Sequence, residues 1–321
     1  MRKIESALQA LEEGKLSSRT LTDQCLDQAA SPDGEGALVF TRLLAEAARA
    51  EADAVDCRRK EGIWTGPLGG IPISVKDLFD VRGLPTTAGS VVLAEAASAD
   101  RDAAIVTRLR AAGAVIVGRT NMTEFAFSGL GLNPHYGTPA NPFDRKARRI
   151  PGGSSSGAAV SVSDGMALGA IGTDTGGSAR IPAALCGLVG FKPTARRIPT
   201  TGALPLSSSL DSIGPLAASV RCCRILDGVL SGDAVEPGAE APVRGLRLAV
   251  PKTRVLDDVD SQVGRAFERA LSRLGSAGAQ ITEIDVAEFA EIESAARIAT
   301  FPAAEAFAWH RELLKRQKDR Y

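Results

Sequence analysis

The chain has 321 residues, 38 Lys and Arg against 38 Asp and Glu, 44% hydrophobic residues and no long block of like charge. That length suits one α/β core, alone or with an appendage, and the charge balance argues against a nucleic acid or an acidic membrane surface, leaving a small molecule as partner. Five cysteines (Cys25, Cys57, Cys186, Cys222, Cys223) are odd in number, include an adjacent pair and lack metal-ligand spacing, so reduced thiols in a cytoplasm are expected.

The start, Met1-Arg2-Lys3-Ile4-Glu5, leads into a charged amphipathic pattern, and no run of about 18 apolar residues follows, so an unexported chain without a membrane partner is expected. Residues 4–13 and 18–30 put Ile4, Leu8, Leu11 and then Leu21, Cys25, Leu26 at helical spacing, with Ser17 or Ser18 placed to cap the second helix. A third helix, rich in Ala, Arg and Glu, is expected over 38–60. These helices form a layer around a core that comes later.

At Gly66-Pro67-Leu68-Gly69-Gly70 a turn cluster feeds Ile71-Pro72-Ile73-Ser74-Val75-Lys76-Asp77-Leu78-Phe79, a short buried strand ending in a lysine. Lys76 is either a rim charge paired with Asp77 or a buried amine with a depressed pKa. Residues 102–113 read as a helix and 114–118 as a parallel strand, so the sheet is expected to be mostly parallel. A loop rich in Gly, Pro and Asn then runs to Pro142. Further on, strands are expected at 187–191, 246–250 and 281–284 and helices at 218–230, 260–276 and 302–318, with no linker that would mark a second domain and no internal repeat.

Between these lie two Gly/Ser clusters, Pro151-Gly152-Gly153-Ser154-Ser155-Ser156-Gly157 and Gly172-Thr173-Asp174-Thr175-Gly176-Gly177-Ser178. Glycine pairs let bare backbone N–H groups approach a ligand, and such donors can hold an oxyanion. Gly153-Ser154-Ser155-Ser156-Gly157 fits the nucleophile-elbow pattern, with Ser155 at its centre. The residues before it are charged and end in proline, a poor buried strand, and the one downstream histidine, His310, falls inside an expected helix. A phosphate loop is weak as well, because no G-K-[ST] follows either cluster. Plain Ser/Gly turns are the bland alternative, disfavoured by the matched Gly pairs. With only His135 and His310 in the chain, a serine hydrolase needs another base, and lysine is one.

Here the residues resemble a family. Gly152 through Ala159, Gly172 through Ala184, and Gly187-Leu188-Val189-Gly190-Phe191-Lys192-Pro193-Thr194 are similar to the motifs of the amidase signature family of serine hydrolases, and Gly70 through Asp77 looks like its lysine motif. The resemblance runs from about Leu8 to the last residue. It implies an α/β fold with a mostly parallel mixed central sheet covered by helices on both faces, in a single amidase domain over 1–321 (an N-terminal helical layer, 1–65, and a catalytic core, 66–321). Family members run well past the position matching Tyr321, so the resemblance also implies a chain lacking the usual C-terminal part.

Residue by residue, the resemblance implies Ser178 as acyl-enzyme nucleophile, Ser154 as a bridging serine preceded by a cis peptide, and Lys76 as base, the serines standing 24 positions apart. An unperturbed lysine is neutral in about one molecule in 2,500 at pH 7, so burial has to bring its pKa down at a cost of roughly 4 kcal/mol. The N–H groups of Thr175, Gly176, Gly177 and Ser178 are the implied oxyanion hole, Ser155, Asp174 and Arg180 the implied supports, and Phe125-Ala126-Phe127 the acyl-pocket segment, with packing phenylalanines the alternative. Ser156 stands where many members have Gly. Ile181-Pro182 departs from the pattern of the tRNA-dependent amidotransferase enzymes' glutaminase component, which favours a stand-alone amidase. No metal or cofactor is implied; the partner is a small amide, and a homodimer is admitted. The functions in view are amide hydrolysis, a glutaminase component passing ammonia to a partner, and an inactive truncated homologue.

Overall fold

Short runs of apolar and small residues, too uniform to leave a polar side, produce a sheet buried on both faces. The strands are β1 Phe40–Leu43, β2 Pro72–Lys76, β3 Val115–Thr120, β4 Gly169–Asp174, β5 Val189–Gly190 and β6 Ser212–Ala217, in the order β1-β3-β2-β4-β6-β5. β2 pairs in parallel with β3 and β4, while β1 runs against β3, and β6 against β4 and β5. β2 to β5 therefore share one direction, and the sheet is mixed but mostly parallel. Every residue of β2, β3, β4 and β6 is buried.

This is a computed structural model that describes residues 1–233, 241–292 and 300–321. The chain divides into two compact units, Met1–Val235 with Glu305–Tyr321, and Glu236–Ala304. Its helices among the described residues are α1 Ile4–Glu12, α2 Ser18–Ala30, α3 Gly36–Val39, α4 Ala45–Lys60, α5 Ala104–Ala111, α6 Ser156–Ser163, α7 Arg180–Leu185, α8 Val220–Ser231, α9 Ser261–Ser276 and α10 Phe301–Gln317. None is long and apolar enough to cross a membrane. Ser17 caps α2, its side chain accepting from the Thr20 N–H.

Helices cover both faces of the sheet. Ile73, Ile171 and Ile213 pack with α1, α5 and α8 through Ile4, Leu109 and Leu226. Ala170 and Leu216 point the other way, onto α6 and α7 through Ala159 and Ala183. α6 is buried along nearly its whole length, Ser156 to Val162, which makes it a core helix with no polar side.

The helix expected over 38–60 is instead α3, β1 and α4. Phe40 and Thr41 suit an extended chain, and β1 gains a partner in β3, with Phe40 opposite Thr120, so pairing overrides the helical composition. Around 187–191 only Val189 and Gly190 are strand. In the second unit β7 Arg247–Pro251 and β8 Gln280–Ile284 pair in parallel as a two-stranded sheet of their own, joined through α9. Asp260 caps α9 by accepting from the N–H groups of Gln262 and Val263.

Candidate active site

Lys76 is the last residue of β2, at the carboxyl end of a strand held between two parallel neighbours, where α/β sheets place their sites. It is fully buried. Its Nζ lies 2.7 Å from Ser154 Oγ and 2.8 Å from Thr173 Oγ1. Asp77 is not its partner, being held by Arg119 at 3.0 Å. Burial pulls the Lys76 amine down to about 7, against the opposing charges of Asp211 and Asp174.

The first Gly/Ser cluster leads into α6 and is buried throughout. The Gly153-Ser154 peptide is cis. Backbone bonds pin it on both sides: Gly153 N–H donates to the Gly129 carbonyl (2.8 Å), Thr123 N–H to the Ser154 carbonyl (3.1 Å), and Ser155 N–H to the Ser178 carbonyl (3.2 Å). The last of these ties the two clusters together. Ser155 Oγ faces the Thr173 carbonyl at 3.4 Å, so the elbow-like serine is turned into the protein.

The second cluster runs off the end of β4. Asp174 there is fully buried and accepts from the N–H groups of Gly177 (2.9 Å), Ala179 (3.2 Å) and Arg180 (3.3 Å), with both ends of the Arg180 guanidinium at 2.9 Å. Burial alone would raise this carboxyl, yet Arg180 and the backbone donors hold it below the usual range. Gly177 has φ +132°, a conformation for which glycine is suited, and a Cβ there would meet Ile181 at 2.7 Å. Ser178 is 7% exposed and Gly176 faces solvent. Of the N–H groups named as oxyanion donors, that of Gly177 is taken by Asp174, whereas those of Gly176 and Ser178 enter no turn hydrogen bond among the described residues.

A cavity of about 220 Å³ opens beside these residues, lined in part by Leu78, Ala126, Thr173 and Asp211. Of the segment expected to form an acyl pocket, only Ala126 lines it. Phe125 is packed edge-on against His310 (4.3 Å between centroids) and near Tyr321 (5.4 Å), and Phe127 is 56% exposed. His310 is buried and bonded to the Tyr321 hydroxyl, and its pKa is lowered by burial. Two residues escaped the reading of the sequence. Thr173 gives the lysine its second partner, and Asp211 accepts from the Thr175 hydroxyl (2.5 Å) and from the N–H groups of Leu206 and Ser207. For Thr173 the signal was its place immediately before Asp174, at the end of a buried run. The five cysteines are free thiols.

Known proteins resemble this chain in sequence and in fold. A family model described as Amidase matches residues 20–319. The chain is 47% identical over 237 residues to a 2-amino-5-chloromuconic acid deaminase of Comamonas testosteroni, covering 73% of this chain and 51% of the relative. It is 38% identical over 296 residues to one component of the glutamyl-tRNA(Gln) amidotransferase of Chloroflexus aggregans, covering 88% of this chain and 60% of that one. The chain thus spans about half to three-fifths of the length of these curated relatives. A crystal structure of an amidase superposes with a TM-score of 0.90 at 36% identity, covering 100% of this chain and 71% of that one.

Proposed function

We propose that this chain, which belongs to the amidase family, hydrolyses a small linear carboxamide to a carboxylate and ammonia or an amine through an acyl-enzyme on Ser178. The observation that carries this reading is the Lys76 amine, buried, brought to about 7 and 2.7 Å from Ser154. A hydroxyl becomes a nucleophile only when its proton has somewhere to go, and a lysine neutral near pH 7 is an acceptor.

In the proposed route Ser178 Oγ attacks the amide carbonyl carbon and passes its proton to Ser154 Oγ, whose own proton moves to Lys76 Nζ. The carbonyl oxygen gains the negative charge and is met by the N–H groups of Thr175, Gly176 and Ser178. Gly177, its N–H engaged by Asp174, shapes the turn that presents the others. Collapse breaks the C–N bond, the leaving nitrogen takes back the relayed proton, and water repeats the sequence on the ester. Ser155 and Arg180 act as supports. Because the family match runs through both compact units, we read 1–321 as belonging to one amidase domain. Its free thiols suit a cytoplasm.

A fluorophosphonate should label Ser178 and leave S178A unlabelled; labelling at another serine would overturn the assignment, and none at all would mark an inactive homologue. Lys76→Ala should slow acylation far more than Lys192→Ala, whose amine donates to the neighbouring Pro193 carbonyl. A second reading, favoured by the name of the Chloroflexus aggregans relative, is a component that passes ammonia to a partner enzyme. Turnover of small amides by the chain alone would remove it.

A further inference from the structure

The cavity beside Thr173 has an arginine in its lining. Arg196 lines it; the residue is exposed, and its guanidinium has no hydrogen-bond or ion-pair partner among the described residues. It also sits at φ +69°, where an L-residue is strained and glycine would be at ease, so the side chain is what this position gains. Ser212 lines the same cavity; it is 3% exposed, and its hydroxyl is buried without a partner. A buried hydroxyl left unsatisfied is costly, and a ligand oxygen would satisfy it.

Ser212 lies on β6 opposite Asp174, and Thr173 both lines the cavity and bonds Lys76. The lining thus brings together a residue bonded to the proposed base and an exposed arginine. Ile198, Leu204 and Ile213 supply apolar wall between polar groups. Asp211, the one carboxylate in the lining, is already committed to the Thr175 hydroxyl and two backbone N–H groups. At about 220 Å³ the space is smaller than the roughly 300–1,000 Å³ of sites for drug-sized ligands.

We propose that Arg196 and Ser212 bind a carboxylate on the acyl part of the substrate, so that the amide cleaved is the half-amide of a small dicarboxylic acid. A guanidinium fork matches a carboxylate in shape and charge, and the serine hydroxyl adds a donor. This inference rests on the amide-hydrolase reading, and it narrows that reading from carboxamides in general to acidic ones.

The test compares succinamate, glutaramate and adipamate with the neutral pentanamide, and measures glutarate binding by calorimetry without turnover. Arg196→Ala should lower the kcat/KM ratio of the preferred half-amide over pentanamide about ten- to a hundredfold, chiefly through KM, and weaken glutarate to match. Arg196→Lys should recover part of the loss, and Ser212→Ala should cost a few-fold. Near-UV circular dichroism reports whether each variant is folded. An unchanged ratio with unchanged glutarate affinity in folded Arg196→Ala overturns the proposal. Labelling of Ser178 in the unsubstituted chain judges the hydrolase reading, and glutarate binding judges this one, so either can fall alone.

Discussion

The two Gly/Ser clusters look alike in composition and are held by different forces. The first, Pro151 to Gly157, is buried at every residue and clamped by backbone bonds to Gly129, Thr123 and Ser178. A Cβ at Gly153 would stand 2.6 Å from the Gly131 nitrogen, so the contact is backbone against backbone. The second, from Gly172 to Ser178, emerges at Gly176 and is gathered onto one carboxylate, Asp174. One is a floor kept in place by volume; the other is a turn kept in place by charge. They should therefore fail in different ways.

Lys76 stands where the two meet, and changing it should have the largest effect. Lys76→Met should cut turnover by about 10³–10⁴-fold. Its effect on stability has the opposite sign. The folded pKa, about 7, lies below the ordinary 10.5, so the unfolded chain binds more protons between those values and wild-type stability rises with pH across that window. Against the loss of two hydrogen bonds, Lys76→Met should stabilise by about 2 kcal/mol at pH 7 and should have lost that advantage by pH 10. Urea unfolding at both values checks this; an advantage that grows with pH would contradict it. In the unsubstituted chain kcat/KM should climb through an apparent pKa of about 7 as the amine loses its proton.

Asp174→Asn breaks the turn by charge. It removes the anion that faces Arg180 and three backbone donors, and should cost about 3 kcal/mol together with a fall in kcat. The Asp174 contribution is present above the ordinary carboxylate value of 3.8 and is lost as pH falls through the lower folded value. A variant as stable as the parent in chemical unfolding would show that the turn holds without its carboxylate. Gly153→Ala breaks the floor by volume and should cost about 1–3 kcal/mol, a loss insensitive to salt and pH, which a melting series across both would test. Ser155→Ala should do least, about 1 kcal/mol or under and a few-fold in rate, because among the described residues its hydroxyl meets one carbonyl, at 3.4 Å. A loss near that of Lys76→Met would put Ser155 in the chemistry.

Much of this candidate site was legible because the chemistry proposed for it needs unusual residues in unusual places. A lysine closing an apolar strand, Gly pairs before serines and a shortage of histidines all register in the chain itself. β4 and β6 were not named from the sequence, since Gly169-Ala170-Ile171-Gly172 and Ser212-Ile213-Gly214-Pro215 carry neither a two-residue alternation nor a β-branched run; the sheet, not local propensity, makes them strands. Thr173 was overlooked for a related reason, a threonine announcing nothing until a lysine is delivered beside it. Nor does the sequence say that Phe125 turns toward His310 and Tyr321, contacts 185 and 196 positions along the chain.

Thr173 and Asp174 are consecutive on β4, and successive side chains of a strand leave it in opposite directions. Thr173 reaches the lysine, while Asp174 gathers the turn. The strand therefore works as a ruler: deleting or inserting a single residue before Thr173 would exchange the two directions, sending the carboxylate toward the amine and the hydroxyl toward the turn, with every residue type preserved. Counting along the backbone is as strict a requirement here as chemistry.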